Sequence, residues 1–141
     1  KLKKLLKNER FCLTYGDGIS NVNLKKLLKF HIANEKKGTV TAVHPVARFG
    51  EIILKKNLVS SFKEKPQTKK DWINGGFFIF EPDFLKYIKK SSDVLEGYPL
   101  EQLTKKNQLS AFRHEGFWHC MDTKRDMDLI NNLIKKNKNL L

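Results

Sequence analysis

The feature that most constrains the fold is a short apolar run that stops abruptly at two glycines. Phe11-Cys12-Leu13-Thr14-Tyr15 is typical of a buried strand, and Gly16-Asp17-Gly18 directly after it has the composition of a turn. The next stretch is amphipathic, with an apolar stripe at helical spacing formed by Leu24, Leu27, Leu28 and Ile32. The β-branched residues 39–43 then predict a second strand. A strand, a helix and a strand in this order predict an α/β fold.

Local signals give the ends of this helix and the elements that follow. Ser20 or Asn21 is expected to cap the helix and Gly38 to end it near residue 36. At the other end of the chain, Thr123 and Asp126 have the spacing of a capping box, which predicts a last helix running to about residue 137. We further predict helices over 1–9, 83–89 and 99–106, and strands over 51–54, 58–62, 76–80, 109–114 and 117–121.

The spacing of the middle strands constrains the sheet. They lie too close together for helical crossovers, so part of the sheet is expected to be antiparallel. We therefore predict a partial doubly wound, Rossmann-like mixed sheet with flanking helices. The length of 141 residues fits one modest domain with its own core, and we expect residues 1–141 to form a single domain.

Composition excludes several classes of protein. The net charge of +13 invites a nucleic-acid interpretation, but lysine is spread in doublets along the whole chain and arginine occurs only four times, which favours a solvated surface. No apolar run approaches the ~20 residues of a membrane helix, and no secretory signal is visible. We expect a cytoplasmic protein that binds neither nucleic acid nor membrane. Cys12 and Cys120 lie in apolar runs and are expected to be reduced, packed thiols, and Trp118 is expected in the core.

Two aspartates stand out as candidate metal ligands. Asp17 follows a predicted strand between two glycines, and Asp122 follows the apolar run 117–121, 105 positions later. Ligands of open α/β sheets bind at the carboxyl ends of strands, and Mg²⁺ takes one or two protein carboxylates. Thr123 already serves as the helix cap, so Asp122 is left for another role. The alternatives are an ordinary turn at Asp17 and an ordinary capping aspartate at Asp122.

Three further segments are candidates for binding an anionic or sugar substrate. Lys65 in Glu64-Lys65-Pro66 can neutralise a phosphate, and Glu64 can accept sugar hydroxyls. Asn74-Gly75-Gly76 opens a very apolar strand, where glycines permit close backbone approach. Arg48 in Arg48-Phe49-Gly50 can bind a phosphate or a base. Each has a structural alternative: a charged pair before a proline, a strand bulge, and a surface arginine.

Taken together, these motifs carry a family resemblance. The chain resembles the sugar-1-phosphate nucleotidyltransferases, and within them most resembles the glucose-1-phosphate cytidylyltransferases. The resemblance runs from about residue 11 to 133 and rests on segments in family order: 15–18, 48–50, 62–66, 73–78, 99–100, 116–118 and 121–126. Each motif is weak alone, and the ordered set is strong. The implied fold is that of the nucleotide-diphospho-sugar transferases.

The resemblance implies a reaction and a role for each candidate residue. Glucose 1-phosphate attacks the α-phosphate of CTP, giving CDP-glucose and pyrophosphate, in the biosynthesis of surface polysaccharide such as the O-antigen of lipopolysaccharide. By analogy, Asp17 and Asp122 hold Mg²⁺, while Lys65 neutralises the sugar phosphate. Glu64, Asn74 and Gly75 bind sugar hydroxyls. Gly16 lies against the nucleotide, and Arg48 is a further substrate-binding residue.

The chain departs from the family at its start. Members begin with a strand and a glycine-rich, arginine-bearing loop that binds the triphosphate, and neither is present here. We therefore expect this chain to be the C-terminal part of such an enzyme, lacking its N-terminal strands and inactive alone; the family implies a homo-oligomer at full length. Other interpretations are a uridylyl- or thymidylyltransferase of the same fold, a non-catalytic binding or regulatory module, and a basic nucleic-acid binder.

Overall fold

The computed structural model describes residues 2–6, 8–46, 49–64, 71–138 and 140–141. Within these ranges the chain has four α-helices, a 3-10 helix and eight strands. The helices are α1 (Leu2–Leu6), α2 (Leu24–Asn34), α3 (Tyr98–Lys105) and α4 (Lys124–Lys136), with the 3-10 helix at Pro82–Tyr87. The strands are β1 (Phe11–Thr14), β2 (Gly18–Ser20), β3 (Gly38–Val43), β4 (Glu51–Lys55), β5 (Leu58–Lys63), β6 (Ile73–Phe80), β7 (Leu109–His114) and β8 (Trp118–Cys120).

The main sheet is mixed, as the sequence predicts. Its strand order is β1-β6-β3-β7. β6 lies between β1 and β3 and is antiparallel to both, whereas β3 and β7 are parallel. The apolar run predicted as a strand over 76–80 is therefore one of the two central strands of this sheet. β1, α2 and β3 form the expected strand–helix–strand unit, with β6 between its two strands.

The core lies where aromatic residues of β6 meet the 3-10 helix and α3. Phe78, Phe80, Phe84 and Leu103 are all fully buried, and the rings of Phe80 and Phe84 stack with their centroids 3.8 Å apart. Alternation along β6 places Phe78 and Phe80 on the same face of the sheet. The 3-10 helix occupies the place where an α-helix was predicted over 83–89, and it begins with Pro82 in its first turn.

α2 packs on the opposite face of the sheet, and its ends differ from the prediction. The N-cap is Asn23, whose side-chain Oδ1 accepts a hydrogen bond from the backbone of Lys26 at 2.9 Å. The helix ends at Glu35, which adopts a left-handed conformation with φ of 51°. Gly38 instead begins β3, where a Cβ would lie 2.9 Å from a methyl carbon of Leu103. The glycine is thus required by core packing and does not cap the helix.

The predicted strand pair over 51–62 is confirmed as the hairpin β4–β5, which forms its own two-stranded sheet. Cross-strand partners put Ile52 with Phe62 and Leu54 with Val59 on one face. All four side chains are more than half exposed. The hairpin therefore carries an open apolar face away from the main core.

Two remaining predictions have opposite outcomes. The capping box of α4 is confirmed, because Thr123 and Asp126 exchange side-chain-to-backbone hydrogen bonds. Cys12 was expected to be packed and is exposed on β1 at the edge of the sheet.

Among the described residues, no helix combines the length and apolar character that a membrane span requires.

The fold predicts a pH-dependent stability that depends on His31. This side chain is fully buried, with Nδ1 2.7 Å from Thr39 Oγ1 and Nε2 3.1 Å from Glu81 Oε1. Burial lowers its pKa below the ordinary value of 6.5, against the opposing effect of Glu81. Below about pH 6.5 the unfolded chain takes up a proton that the folded imidazole resists. The free energy of unfolding should then fall by up to about 1.4 kcal/mol per pH unit.

Urea denaturation at several pH values between 7.5 and 5 measures this effect. In His31→Gln the decline should flatten, whatever the absolute stability of the variant. His119→Gln, which removes a half-buried histidine elsewhere, should keep the wild-type slope. Equal slopes in the wild type and His31→Gln would contradict the assignment.

Candidate active site

A short antiparallel pair, β2 with β8, connects two distant parts of the chain. Gly18 pairs with Cys120 and Ser20 with Trp118, and the backbone N–H of Met121 donates to the carbonyl of Asp17 at 2.8 Å. Asp17, which precedes β2, and Met121 and Asp122, which follow β8, therefore lie side by side at the same end of this strand pair. The sequence predicted a strand at 117–121 but not its partner, because Gly18 was interpreted as part of a turn.

The far end of β2 is held by a hydrogen-bonded turn. Ser20 Oγ donates to the carbonyl of Phe117 at 2.8 Å and lies 3.1 Å from His114 Nε2. Gly116 lies in this turn, where a Cβ would come within 2.6 Å of the His114 ring. These contacts anchor β2 against the β7–β8 connection, which positions Asp17 relative to Asp122.

The pairing brings together the two aspartates that were predicted to share a cation. One ligand atom from each of Asp17, Cys120 and Asp122 lies within 4.8 Å of the others. Asp122 is exposed and does not cap α4, since Thr123 does so. Two carboxylates with a soft thiol between them form a group of the size that can surround a single ion.

Cys120 is a member of this group that sequence reasoning did not assign. Its Sγ donates to Asp122 Oδ1 at 3.1 Å. Burial, the hydrogen bond to Asp122 and the negative charge of Asp17 raise the pKa of the thiol to about 12. The thiol is therefore protonated at neutral pH, and the oxygen donors of the group are the two carboxylates. The available signal was the i, i+2 spacing of Cys120 and Asp122 at a strand end.

The segment Asn74-Gly75, predicted to bind sugar hydroxyls, lies beside this pair of strands. Trp118 Nε1 donates to the carbonyl of Gly75 at 2.8 Å. Asn74 Nδ2 donates to the hydroxyl of Tyr15 at 2.9 Å, and its Oδ1 accepts from the backbone of Gly76. The Asn74 amide is thus held in one orientation, with hydrogen-bonding capacity left over on both of its ends.

The other predicted residues are distributed differently. Gly16 faces open space: apart from its chain neighbours, no described residue has a heavy atom within 4 Å of the position that a Cβ would take. Glu64 follows β5, and its carboxylate lies near Gly50 at the base of the hairpin. It is not among the described residues that line the cleft beside Asp122. Arg48 and Lys65 lie outside the described residues.

A cleft of about 550 Å³ opens beside Asp122. Trp118, expected in the core, is half-buried and forms part of its wall. Apolar side chains line much of the cleft, and its charged lining residues among those described are Asp122, Arg125 and Asp126. The described residues of the lining are Pro45, Val46, Ile73, Trp118, His119, Cys120, Asp122, Thr123, Arg125, Asp126 and Leu129. Such a cleft suits a ligand with both a polar and an apolar face.

Comparison with known proteins assigns the family. The family model described as nucleotidyl transferase matches residues 1–135. The chain belongs to the nucleotidyl transferase family. This confirms the family resemblance predicted from the sequence, and the mixed sheet with flanking helices is the expected fold.

Individual relatives give finer detail. The chain is 40% identical over 131 residues to glucose-1-phosphate cytidylyltransferase of Salmonella typhimurium, covering 93% of this chain and 51% of that protein. It is 33% identical over 127 residues to mannose-1-phosphate guanyltransferase of Hypocrea jecorina, covering 86% of this chain and 34% of that protein. The chain therefore spans about half the length, or less, of the curated relatives it matches.

A solved structure supports the fold independently of sequence. HddC from Yersinia pseudotuberculosis superposes with a TM-score of 0.64 at 18% identity, covering 94% of this chain and 60% of that one. At this level of identity the likeness concerns the fold alone.

Alanine substitution should have different effects on the free energy of unfolding at the two glycines that were predicted to bind substrate, Gly75 and Gly16. At Gly75 a Cβ would lie 2.7 Å from a Val43 methyl and 2.9 Å from the carbonyl oxygen of Thr41. Gly75→Ala should therefore cost about 2 kcal/mol or more of stability. Gly16→Ala enters open space and should change stability by less than about 0.5 kcal/mol. Urea denaturation of both variants tests this, and equal costs would contradict the packing described.

Proposed function

We propose that this chain supplies the cation-binding and sugar-phosphate-binding part of a nucleotidyltransferase active site. The reaction is transfer of a cytidylyl group from CTP to glucose 1-phosphate, giving CDP-glucose and pyrophosphate. The observation that supports the proposal most directly is the convergence of Asp17 and Asp122, whose ligand atoms lie within 4.8 Å although they are 105 positions apart.

The donor set fits Mg²⁺ better than a softer metal. Hard divalent cations take carboxylate oxygens, and Mg²⁺ completes its shell with water and phosphate oxygens. Asp17 and Asp122 supply two such oxygen ligands in the group. A bound Mg²⁺ would supply Lewis-acid polarisation of the α-phosphate and neutralise developing charge.

In this reaction the protein contributes alignment of the two substrates more than covalent catalysis. An oxygen of glucose 1-phosphate forms a bond to the α-phosphorus of CTP as the bond from that phosphorus to the bridging oxygen of pyrophosphate breaks. Such transfers are accelerated by positioning and charge neutralisation. Asp17 and Asp122 hold the cation, while the fixed Asn74 amide and the Gly75 backbone orient the sugar.

The remaining assignments belong to the same proposal. Lys65 neutralises the sugar phosphate, Glu64 accepts sugar hydroxyls, Gly16 leaves room for the nucleotide, and Arg48 contributes to substrate binding. CTP as donor and a role in O-antigen and lipopolysaccharide biosynthesis rest on the similarity to cytidylyltransferases. A cytoplasmic homo-oligomer is the expected setting of the complete enzyme.

Cation binding by the chain itself tests the central assignment. Titration with Mn²⁺, followed by electron paramagnetic resonance, should reveal one site in the wild type. Asp17→Asn and Asp122→Asn should each weaken it at least tenfold, because each removes one of two carboxylate ligands. The experiment needs no turnover and so does not depend on the rest of an active site.

A matched control variant distinguishes Mn²⁺ binding at this site from unspecific attraction of the cation by surface carboxylates. Asp128 lies on α4, six residues beyond Asp122, and pairs with Lys124 at 3.2 Å on the solvent side. Asp128→Asn should leave Mn²⁺ affinity within twofold of the wild type. If all three substitutions had the same effect, or if the wild type bound no Mn²⁺, the assignment of the cation site would fall.

A further inference from the structure

Arg125 is a cation in the cleft whose charge no described residue neutralises. It lies in the first turn of α4, three residues after Asp122, and it lines the same cleft. Its side chain is exposed, and it makes no ion pair or hydrogen bond with any residue in the described ranges. By contrast, the adjacent Lys124 pairs with Asp128.

The nearest carboxylate in sequence is already engaged. Asp126 Oδ2 accepts from both the backbone N–H and the hydroxyl of Thr123, at 2.9 and 2.7 Å, as part of the capping box. Both bonds tie the Asp126 carboxylate to the N-terminus of α4. The Arg125 guanidinium therefore remains available to an anion that enters the cleft.

The surrounding charges indicate which anion this can be. Without a divalent cation, the carboxylates of Asp17, Asp122 and Asp126 outweigh Arg125 and repel a phosphate. A divalent cation held by Asp17 and Asp122 cancels that excess of negative charge and places a second positive centre beside the cleft that Arg125 lines. The wall formed by Pro45, Val46 and Ile73 gives the same cleft an apolar side.

We propose that Arg125 binds the phosphate group of the sugar 1-phosphate, together with the cation held by Asp17 and Asp122. This inference rests on the proposed function of the same site. A guanidinium presents paired N–H donors that match two phosphate oxygens, which a lysine does not. Arg125 is thus a substrate-binding residue, and it acts only once the cation is in place.

Calorimetric titration of the chain with glucose 1-phosphate, at saturating Mn²⁺, tests the proposal. Arg125→Gln should weaken binding at least tenfold, and Arg125→Lys by about threefold, since it keeps the charge and loses the paired donors. Lys124→Gln removes the same charge from the neighbouring position and should change affinity less than twofold. Mn²⁺ affinity should stay within twofold of the wild type in all three variants.

The outcomes separate this inference from the proposed function. If the wild type binds Mn²⁺ and glucose 1-phosphate but Arg125→Gln and Lys124→Gln behave alike, the role of Arg125 is overturned and the site stands. If the wild type binds neither ligand, both proposals fall. Binding of glucose 1-phosphate that needs no divalent cation would also overturn the inference, because it contradicts the charge balance on which it depends.

Discussion

Three residue pairs between β2 and β8 hold the candidate site together. The ladder is only Gly18–Ser20 against Trp118–Cys120, extended by the hydrogen bond from Met121 to Asp17. Isolated two-stranded pairs are marginal in water. This one is anchored at one end by the contacts of Ser20 with Phe117 and His114, and on its side by the indole of Trp118 bonded to Gly75. The geometry of the two carboxylates depends on these few contacts.

The elements with strong periodicity were predictable, and the three-residue strand β2 was not. β3, β6 and α4 carry long apolar or β-branched patterns, or a complete capping box, and the structure has them where the sequence predicts. β2 is three residues long and begins with a glycine, so no local pattern distinguishes it from a turn. Its pairing is set by a strand that lies a hundred residues away, and local sequence contains no information on such a contact.

The sequence singled out the two acidic residues of the candidate site, but it did not predict which residues surround them. Asp17 and Asp122 stand out because each follows an apolar run and neither is needed as a helix cap. Trp118 and Cys120 looked like core residues, since apolar side chains at a strand end are buried more often than they line a cleft. Arg125 is an ordinary exposed arginine by sequence. It is distinguished by having no ion pair or hydrogen bond with any described residue, and only the three-dimensional structure shows this.

The large sequence separation across the β2–β8 ladder has a consequence for biosynthesis. β1, β3 and β6 can pair as soon as residue 80 has left the ribosome, because they contain the whole antiparallel part of the main sheet. The second carboxylate emerges more than forty residues later. Contacts between distant segments form late, since closing the intervening loop costs entropy before any contact is gained. The proposed cation site therefore cannot form until residue 122 has left the ribosome, at a stage when the antiparallel part of the main sheet can already be paired.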